Sequence, residues 1–452
     1  MKLNKYLLMA AMGLGLVACT ENDLVEGSDS NGAQNEGTTY VGFTLKFSNT
    51  NTRANGDDAL ATEAESIITS AYVMMTSDGG TTFEKVLDMT APGGSDVEGY
   101  YTDSEKFLFQ TTAGNHDFYA VINPDTPPTE GEDISDYFEK AKSLSLAVIA
   151  APNKFMMSNC SKNTFNLVDN ITKDQALEGD DNASNNFTIS VERVVAKVTM
   201  TCLNATLESE SGTTNVGGKI NNLQFYLMGE ATKSYRMAST SNLNLSRTDG
   251  ITDKYSFEST IPVGITINTG VDQDKTQATP VYCLENLQDS YVQGNTTYIL
   301  LKTDFIPTKI VDCIKADGTT TDNDNTSDTA EPFYVVKSGD LAGNYIIKAD
   351  LDAYKQNHQN QLPQGVLSIS DEYENGTCWF GPIWVGQEDG NENNGPVKRN
   401  TWYNLNIQKI KLPGDPKAPE ISEPQPLVPN TNVAITLDVM DWVSVDRNIS
   451  LQ

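Results

Sequence analysis

The sequence predicts a mainly β protein made of two β-sandwich-like domains with few short helices. Many short segments alternate apolar and polar residues between turn residues, which is typical of sandwich strands. The chain has 452 residues, more than one hydrophobic core usually supports, so two domains are expected. Hydrophobic residues make up 38% of the chain, which is enough to fill packed cores.

The chain begins with a leader, MKLNKYLLMAAMGLGLVAC. Lys2 and Lys5 precede an apolar run that is too short to span a bilayer comfortably. Residues 16–19, Leu-Val-Ala-Cys, look like a bacterial lipobox, which predicts acylation of Cys19 and anchoring of the precursor in the outer membrane. A plain secretory leader with an accidental cysteine is the alternative interpretation.

The first predicted strand lies at residues 40–47. Its apolar residues share one face and are Val41, Phe43, Leu45 and Phe47. Arg53 follows this strand and is the only basic residue between Lys46 and Lys85. An Arg-specific protease would therefore find a single target here, directly after a half-buried strand.

Strand patterns and turn signals dominate the rest of the chain. The predicted strand regions are 67–78, 106–123, 185–203, 219–237, 295–307, 331–337, 343–351 and 400–412. Residues 136–151 are the best helix candidate. The apolar pattern fades near residues 208–216, where we place the domain boundary. The expected units are a signal peptide at 1–19, a propeptide at 20–53, domains at 54–210 and 211–411, and a linker with a last strand at 412–452.

The last unit differs in composition from the others. Residues 412–429 hold six prolines, which predict a stiff extended linker. Beyond it, alternating apolar residues predict a long exposed strand, with Val433, Ile435, Leu437, Val439, Val443 and Val445 in one phase. An ordinary last strand that pairs within its own chain is the alternative interpretation.

An apolar strand held away from its own domain is an aggregation hazard unless another sheet is meant to receive it. Donor-strand complementation uses such strands to complete the sheet of a neighbouring subunit. We therefore hypothesise that strand 40–47 plugs a groove in the precursor and that cutting after Arg53 frees the plug. The C-terminal strand of a neighbour would then fill the groove, and cleavage would also detach the subunit from its lipid.

The motifs, taken in order, resemble the Bacteroidia fimbrillins, the shaft subunits of type V pili. They are the lipobox, the Arg-Ala pair at 53–54, VVAKV (194–198), FMMSN (155–159), QFYLMGEATKSYRM (224–237), YCLENL (282–287), RNTWYNLNI (399–407) and the Asp-Trp pair at 441–442. The resemblance implies two transthyretin-like sandwich domains and cleavage between Arg53 and Ala54. It also implies partners: copies of the chain itself, tip and anchor subunits, and an Arg-specific protease. A lone Arg together with a full C-terminal strand favours a shaft subunit of a surface fimbrium.

Other functions receive less support from the sequence. The formal net charge of -30 argues against nucleic acid as a partner. No nucleophile, metalloprotease or phosphate-loop motif stands out, so we expect neither an enzyme nor a cofactor, although the 61 acidic residues leave a carboxylate pair open. With two histidines and no CxxC, a metal cluster is not expected, and most cysteines after the leader are interpreted as buried apolar residues.

Three alternatives remain open at this stage. The aromatic residues of CWFGPIW (378–384) are interpreted as core and turn, with a glycan-stacking platform as the alternative. The Asp-rich loop 317–328 is interpreted as solvated, with Ca²⁺ binding as the alternative. A monomeric surface lipoprotein that binds glycan or protein is the second hypothesis for the whole chain.

Overall fold

The structure is a computed structural model. It describes residues 38–47, 59–90, 99–101, 106–140, 142–179, 182–202, 206–207, 217–231, 233–237, 264–267, 278–288, 291–313, 323–386, 395–410, 412–422, 425–428 and 433–443. These residues form strands joined in several sheets, with few helices. The predicted mainly β class is therefore confirmed. The predicted domain boundary near 208–216 lies outside the described residues.

The strands before residue 195 are β1 (Thr38–Phe47), β2 (Ala59–Leu60), β3 (Ala71–Ser77), β4 (Lys85–Asp88), β5 (Gly99–Tyr101), β6 (Lys106–Thr112), β7 (Gly114–Ile122), β8 (Ala150–Ala151), β9 (Lys154–Phe155), β10 (Met157–Ser158), β11 (Asn163–Leu167) and β12 (Asn186–Arg193). Except for β2, β8 and β9, they form one sheet in the order β4-β3-β7-β10-β12-β1-β6-β5, with β11 paired to β7. β1 therefore lies in the interior of this sheet.

The later strands are β13 (Val195–Cys202), β14 (Thr206–Leu207), β15 (Gly218–Met228), β16 (Ile265–Thr266), β17 (Val281–Leu284), β18 (Tyr298–Pro307), β19 (Lys309–Ile310), β20 (Asn323–Asp324), β21 (Phe333–Ser338), β22 (Tyr345–Ile347), β23 (Ser368–Ile369), β24 (Thr377–Trp384), β25 (Thr401–Ile410) and β26 (Val433–Val443). A second large sheet has the order β17-β13-β25-β14-β15-β18-β24, with β26 on β25. The chain thus passes from the first sheet to the second at Val194.

Two large apolar clusters correspond to the two sheets. The first draws mainly on strands before Val194, and aromatic residues link its strands: Phe109 of β6 lies 5.9 Å from Phe118 of β7, ring centre to ring centre. These two strands are not neighbours in the strand order of the sheet, so their side chains meet across the core. The second cluster lies between β13, β15, β18, β24 and β25.

The described helices are short. They are α1 (Leu146–Ile149), α2 (Lys173–Glu178) and α3 (Lys348–Asn357), with single turns at Glu63–Glu65, Ser135–Glu139, Asn182–Ser184, Gln293–Asn295 and Glu374–Gly376. None of the helices in the described ranges has the length and apolar composition needed to cross a bilayer.

The predicted helix 136–151 is wrong over most of its length. A single turn covers Ser135–Glu139, the chain then extends so that Lys142 pairs with Ser234, and α1 supplies only one further turn. Tertiary pairing overrides local helix propensity here. The predicted strand 343–351 is also wrong beyond Ile347, because α3 begins at Lys348 and runs through residues with good helix propensity.

Candidate functional site

β1 is held by a neighbouring strand on each edge. Gly42–Phe47 pair in parallel with Asn186–Val191 of β12, and Thr38–Phe43 pair antiparallel with Phe107–Thr112 of β6. The alternating sequence of β1 suits such a position, because one of its faces can be wholly apolar. Removing this strand would open a groove between β6 and β12.

The inner face of β1 is embedded in the first core. The side chains of Val41, Phe43 and Leu45 are at most 1% exposed. The Phe43 ring stacks on Phe107 at 5.3 Å and meets Phe109 edge-on at 6.0 Å. Burial of these side chains contributes about 1.5 to 3 kcal/mol each as an upper value. The side chain of Phe47, the fourth predicted plug residue, lies outside the description.

The outer face of β1 is covered by the segment that contains α2. Leu108, Ile171 and Ala176 form a small apolar cluster against which Tyr40 packs. A Cβ built on Gly42 would overlap the carbonyl oxygen of Ala176. Glycine is therefore required at this point of closest approach, where the strand passes under the helix.

Hydrogen bonds fix the beginning of β1. The Thr39 hydroxyl donates to the Val168 carbonyl at 2.7 Å and accepts from the Ile171 amide at 3.1 Å. The side-chain amide of Asn185 donates to the Thr39 hydroxyl at 2.9 Å. Thr39 is fully buried, so leaving these groups unpaired would be costly. Thr39 and Asn185 are functional candidates that sequence reasoning missed, since neither belongs to an apolar pattern.

The predicted processing sites fall elsewhere. Cys19, Arg53 and Ala54 lie outside the described residues, which resume at Ala59 after β1 ends at Phe47. Their acylation and cleavage stay predictions.

The C-terminal strand pairs within its own chain. β26 runs antiparallel to β25, from Val433 opposite Ile410 to Asp441 opposite Thr401. The prediction of an exposed strand is therefore wrong for the monomer, in which β26 is an edge strand of the second sheet. Pairing satisfies backbone groups that an isolated strand would leave to water.

The apolar phase of β26 faces the second core where its side chains are described. Ile435 and Leu437 are half-buried and pack against that core. The side chains of Val433, Val439 and Val443 lie outside the description, and so does the whole of Val445.

The proline-rich linker is docked rather than free. Leu427 is buried in an apolar cluster with Trp384, whose indole N–H donates to the Val428 carbonyl at 3.0 Å. The amide of Gln293 donates to the carbonyl of Gln425 at 2.9 Å. The expected detached leash is thus wrong for its described part, because the linker contacts the second sheet on its way to β26.

Trp442 anchors the end of β26. Its ring is 1% exposed and stacks on Tyr282 at 5.7 Å, with Phe155 edge-on at 5.7 Å. The guanidinium of Arg193 lies 4.5 Å from the ring centre, and the indole N–H donates to Glu65 Oε2 at 3.2 Å. The sequence analysis names Trp442 only as part of the Asp-Trp motif and not as an anchor, since it has the phase opposite to the predicted donor residues. A lone aromatic residue on the opposite face was the available signal.

Glu65 is the charged centre of this cluster. Its carboxylate lies 2.9 Å from the Lys197 ammonium and accepts from the Tyr282 hydroxyl at 2.6 Å and the Thr62 amide at 2.7 Å. Burial alone would raise the pKa of Glu65, but the Lys197 charge and these hydrogen bonds outweigh it and lower the pKa. Burial also lowers the pKa of Arg193 to about 10.

The other sequence candidates have structural positions. Trp379 is half-buried and packs against Tyr226, while Phe380 and Trp384 are buried, so these rings belong to packed clusters. None of the five described cysteines forms a disulfide and only Cys160 among them is not fully buried, which fits their interpretation as apolar residues. Most of the Asp-rich loop 317–328 lies outside the described residues.

Comparison with known families supports the resemblance that the sequence motifs indicate. Residues 371–448 match the family model for the C-terminal part of fimbrillin, described as major fimbrial subunit protein type IV. The matched segment contains the motif at 399–407 and β26. The predicted resemblance to fimbrillins is therefore confirmed.

Several solved structures also align with the chain. A fimbrilin (fimA) from Porphyromonas gingivalis W83 is 16% identical, and the alignment covers 91% of this chain and 99% of that chain with a TM-score of 0.47. A putative cell adhesion protein from Parabacteroides distasonis ATCC 8503 is 14% identical, and the alignment covers 90% of this chain and 100% of that chain with a TM-score of 0.48. The tip fimbrial protein Mfa3 from Porphyromonas gingivalis, with C-terminal truncation, is 12% identical, and the alignment covers 90% of this chain and 100% of that chain with a TM-score of 0.40. No curated protein sequence matches significantly.

Proposed function

We propose that this chain is a structural shaft subunit of a cell-surface fimbrium that supports adhesion. It is exported as a lipoprotein acylated at Cys19, reaches the outer membrane and is cut between Arg53 and Ala54 by an Arg-specific protease. It then polymerises with copies of itself and with tip and anchor subunits. Its body consists of two transthyretin-like sandwich domains, at 54–210 and 211–411.

The observation that carries the proposal is the interior position of β1. This strand lies upstream of Arg53, yet both its edges and both its faces are in contact with residues downstream of Arg53. A cut after Arg53 turns an integral strand into a separate peptide. Loss of that peptide leaves an apolar groove with two unpaired edges, which is an acceptor for an extended strand.

β26 has the properties of the donor strand. It has 11 residues against the 10 of β1, and both strands carry apolar residues at alternate positions. Within the described chain, β26 has a neighbour along only one edge for most of its length, namely β25. In a neighbour's groove it would gain a second row of backbone hydrogen bonds, so exchange has a favourable direction once the plug is gone.

The test is N-terminal sequencing and non-boiled gel mobility of surface-released protein, comparing wild type with Arg53→Ala. We expect an N-terminus at Ala54 and heat-labile ladders in wild type, and a monomer in the variant. Lys46→Ala is the matched control, because it removes the nearest upstream basic residue, which is exposed, and should leave ladders intact.

The second candidate is a monomeric surface lipoprotein that binds glycan or protein. The observation in its favour is the pairing of β26 within its own chain, which gives a closed monomer. It predicts an acylated Cys19 at the N-terminus and one monomer band in both wild type and Arg53→Ala. That result would contradict the fimbrial proposal.

A further inference from the structure

The end of β26 differs from the rest of that strand because it has neighbours on both edges. The β25 ladder runs to Asp441, and beyond it the Trp442 amide donates to the carbonyl of Asn400, just before β25, at 3.2 Å. β2 pairs in parallel with the same end of β26, with Ala59 opposite Trp442 and Leu60 opposite Val443. β2 and the turn that follows it, residues 59–66, are the first described residues after the predicted cleavage site. We call residues 59–66 the post-cleavage segment.

The post-cleavage segment also holds the Trp442 side chain. Glu65 accepts a hydrogen bond from the indole N–H, and the main-chain carbonyl of Glu65 accepts from Arg193 Nε at 3.1 Å. Arg193 in turn donates from Nη1 to the Trp442 carbonyl at 3.0 Å. Arg193 therefore ties the post-cleavage segment to the end of β26 through two carbonyl groups.

These contacts are buried and depend on one another. Glu65 is 2% exposed, and its ion pair with Lys197 is also buried, so neither charge is readily satisfied by water. Removing one member of such a group leaves the others unpaired in an apolar site. The contacts of the cluster therefore stabilise one another, and displacement of the post-cleavage segment would break several of them together.

Cleavage after Arg53 would change how this segment is held. In the uncut chain it is covalently connected to β1 upstream and to β3 downstream, so it is an internal segment of the chain. After the cut it becomes part of a chain terminus, and termini open more readily than segments anchored at both ends. Loss of the tether also lowers the effective concentration of β2 at β26.

We propose that the post-cleavage segment is a latch on the donor strand: it holds Trp442 in place in the uncut chain and releases it after cleavage. One cut then frees the acceptor groove on the upstream side of Arg53 and loosens the donor strand on the downstream side. This inference rests on the proposed function, since it assigns a regulation to the same strand exchange.

The test is hydrogen exchange of the full-length chain in dilute, monomeric solution before and after cutting with an Arg-specific protease. We expect amides of residues 433–443 to exchange at least about tenfold faster after the cut, while those of β13 stay protected. Unchanged protection of 433–443 after complete cleavage would overturn the latch.

Variants of the uncut chain provide an independent arm. Glu65→Gln and Trp442→Phe should each speed exchange in 433–443 without any cut, because each removes part of the cluster. Glu63→Gln is the matched control, since it changes an exposed carboxylate in the same turn. If Glu65→Gln does not fold, Trp442→Phe decides the question, and wild-type exchange in a folded variant contradicts the latch.

The two proposals fail in different ways. Ladders that form although 433–443 remains protected after the cut would remove the latch and leave the fimbrial function standing. Faster exchange of 433–443 without ladders would support release of the strand and remove polymerisation.

Discussion

Gly42 shows how a single residue sets the fit of the plug strand. Its position under α2 leaves no space for a Cβ, and the obstacle is a backbone carbonyl that cannot rotate away. Gly42→Val should therefore destabilise the uncut precursor by about 1 to 3 kcal/mol, the usual cost of overpacking. Urea unfolding measures this change.

The control for Gly42→Val is Lys46→Ala, at an exposed position of the same strand, which should stay within about 0.5 kcal/mol of wild type. Equal unfolding midpoints for Gly42→Val and wild type would show that β1 does not pass under the helix as described.

Glu65 predicts a pH dependence at the residue scale. Its pKa in the folded chain is lowered, so its stabilising contribution is fully present above its unfolded pKa of about 4.3 and declines as the pH falls below that value. Lys197, Arg193 and Tyr282 face this carboxylate and lose their charged partner when it is protonated. The stability difference between wild type and Glu65→Gln, measured by thermal unfolding, should therefore shrink below about pH 4. A difference that grows on acidification would contradict this assignment.

At the scale of elements, alternating strands were predictable and short helices were not. Residues 40–47 were predicted as a strand and form most of β1, because strict alternation has few other solutions. The predicted helix at 136–151 is wrong over most of its length. Adjacent Tyr137 and Phe138 are both buried, and the chain then extends so that Lys142 pairs with Ser234. Pairing of β26 within its own chain was only the alternative interpretation of the sequence, because the apolar phase of a strand indicates a sheet but does not specify which one.

The phase of β26 gives a test at the element scale. Ile435 and Leu437 pack on the second core, while Thr436 between them has the opposite phase. The same phase would face the core of a neighbour's groove after exchange. Leu437→Asp should therefore abolish heat-labile ladders on non-boiled gels, whereas Thr436→Asp should retain them. Loss of ladders in both variants would mean that the alternation of apolar residues in β26 does not determine how the strand binds in a neighbour's groove.

At the scale of the whole molecule, length and composition indicate the expected number of domains and the net charge. They do not indicate which distant segments of the chain pack against each other. The Trp442 cluster joins Glu65, Arg193 and Tyr282, which are far apart in sequence and share no motif. Only the folded topology brings the region after the predicted cleavage site against the last strand. The candidate plug was visible in the sequence, but the structure was needed to find its hydrogen bonds and the anchor of the candidate donor.

The net charge of -30 bears on assembly of the whole molecule. Copies of one strongly acidic chain repel each other, and salt screens that repulsion over a Debye length of about 10 Å at 0.1 M. Strand exchange itself depends on apolar contacts and backbone hydrogen bonds, which salt does not weaken comparably. The rate of ladder formation by cleaved subunits should therefore rise by roughly tenfold between about 0.02 and 0.3 M NaCl. Time-resolved non-boiled gels measure the rate, and uncut Arg53→Ala should stay monomeric at every salt concentration. A rate that falls with added salt would instead indicate that complementary charges guide the encounter between subunits.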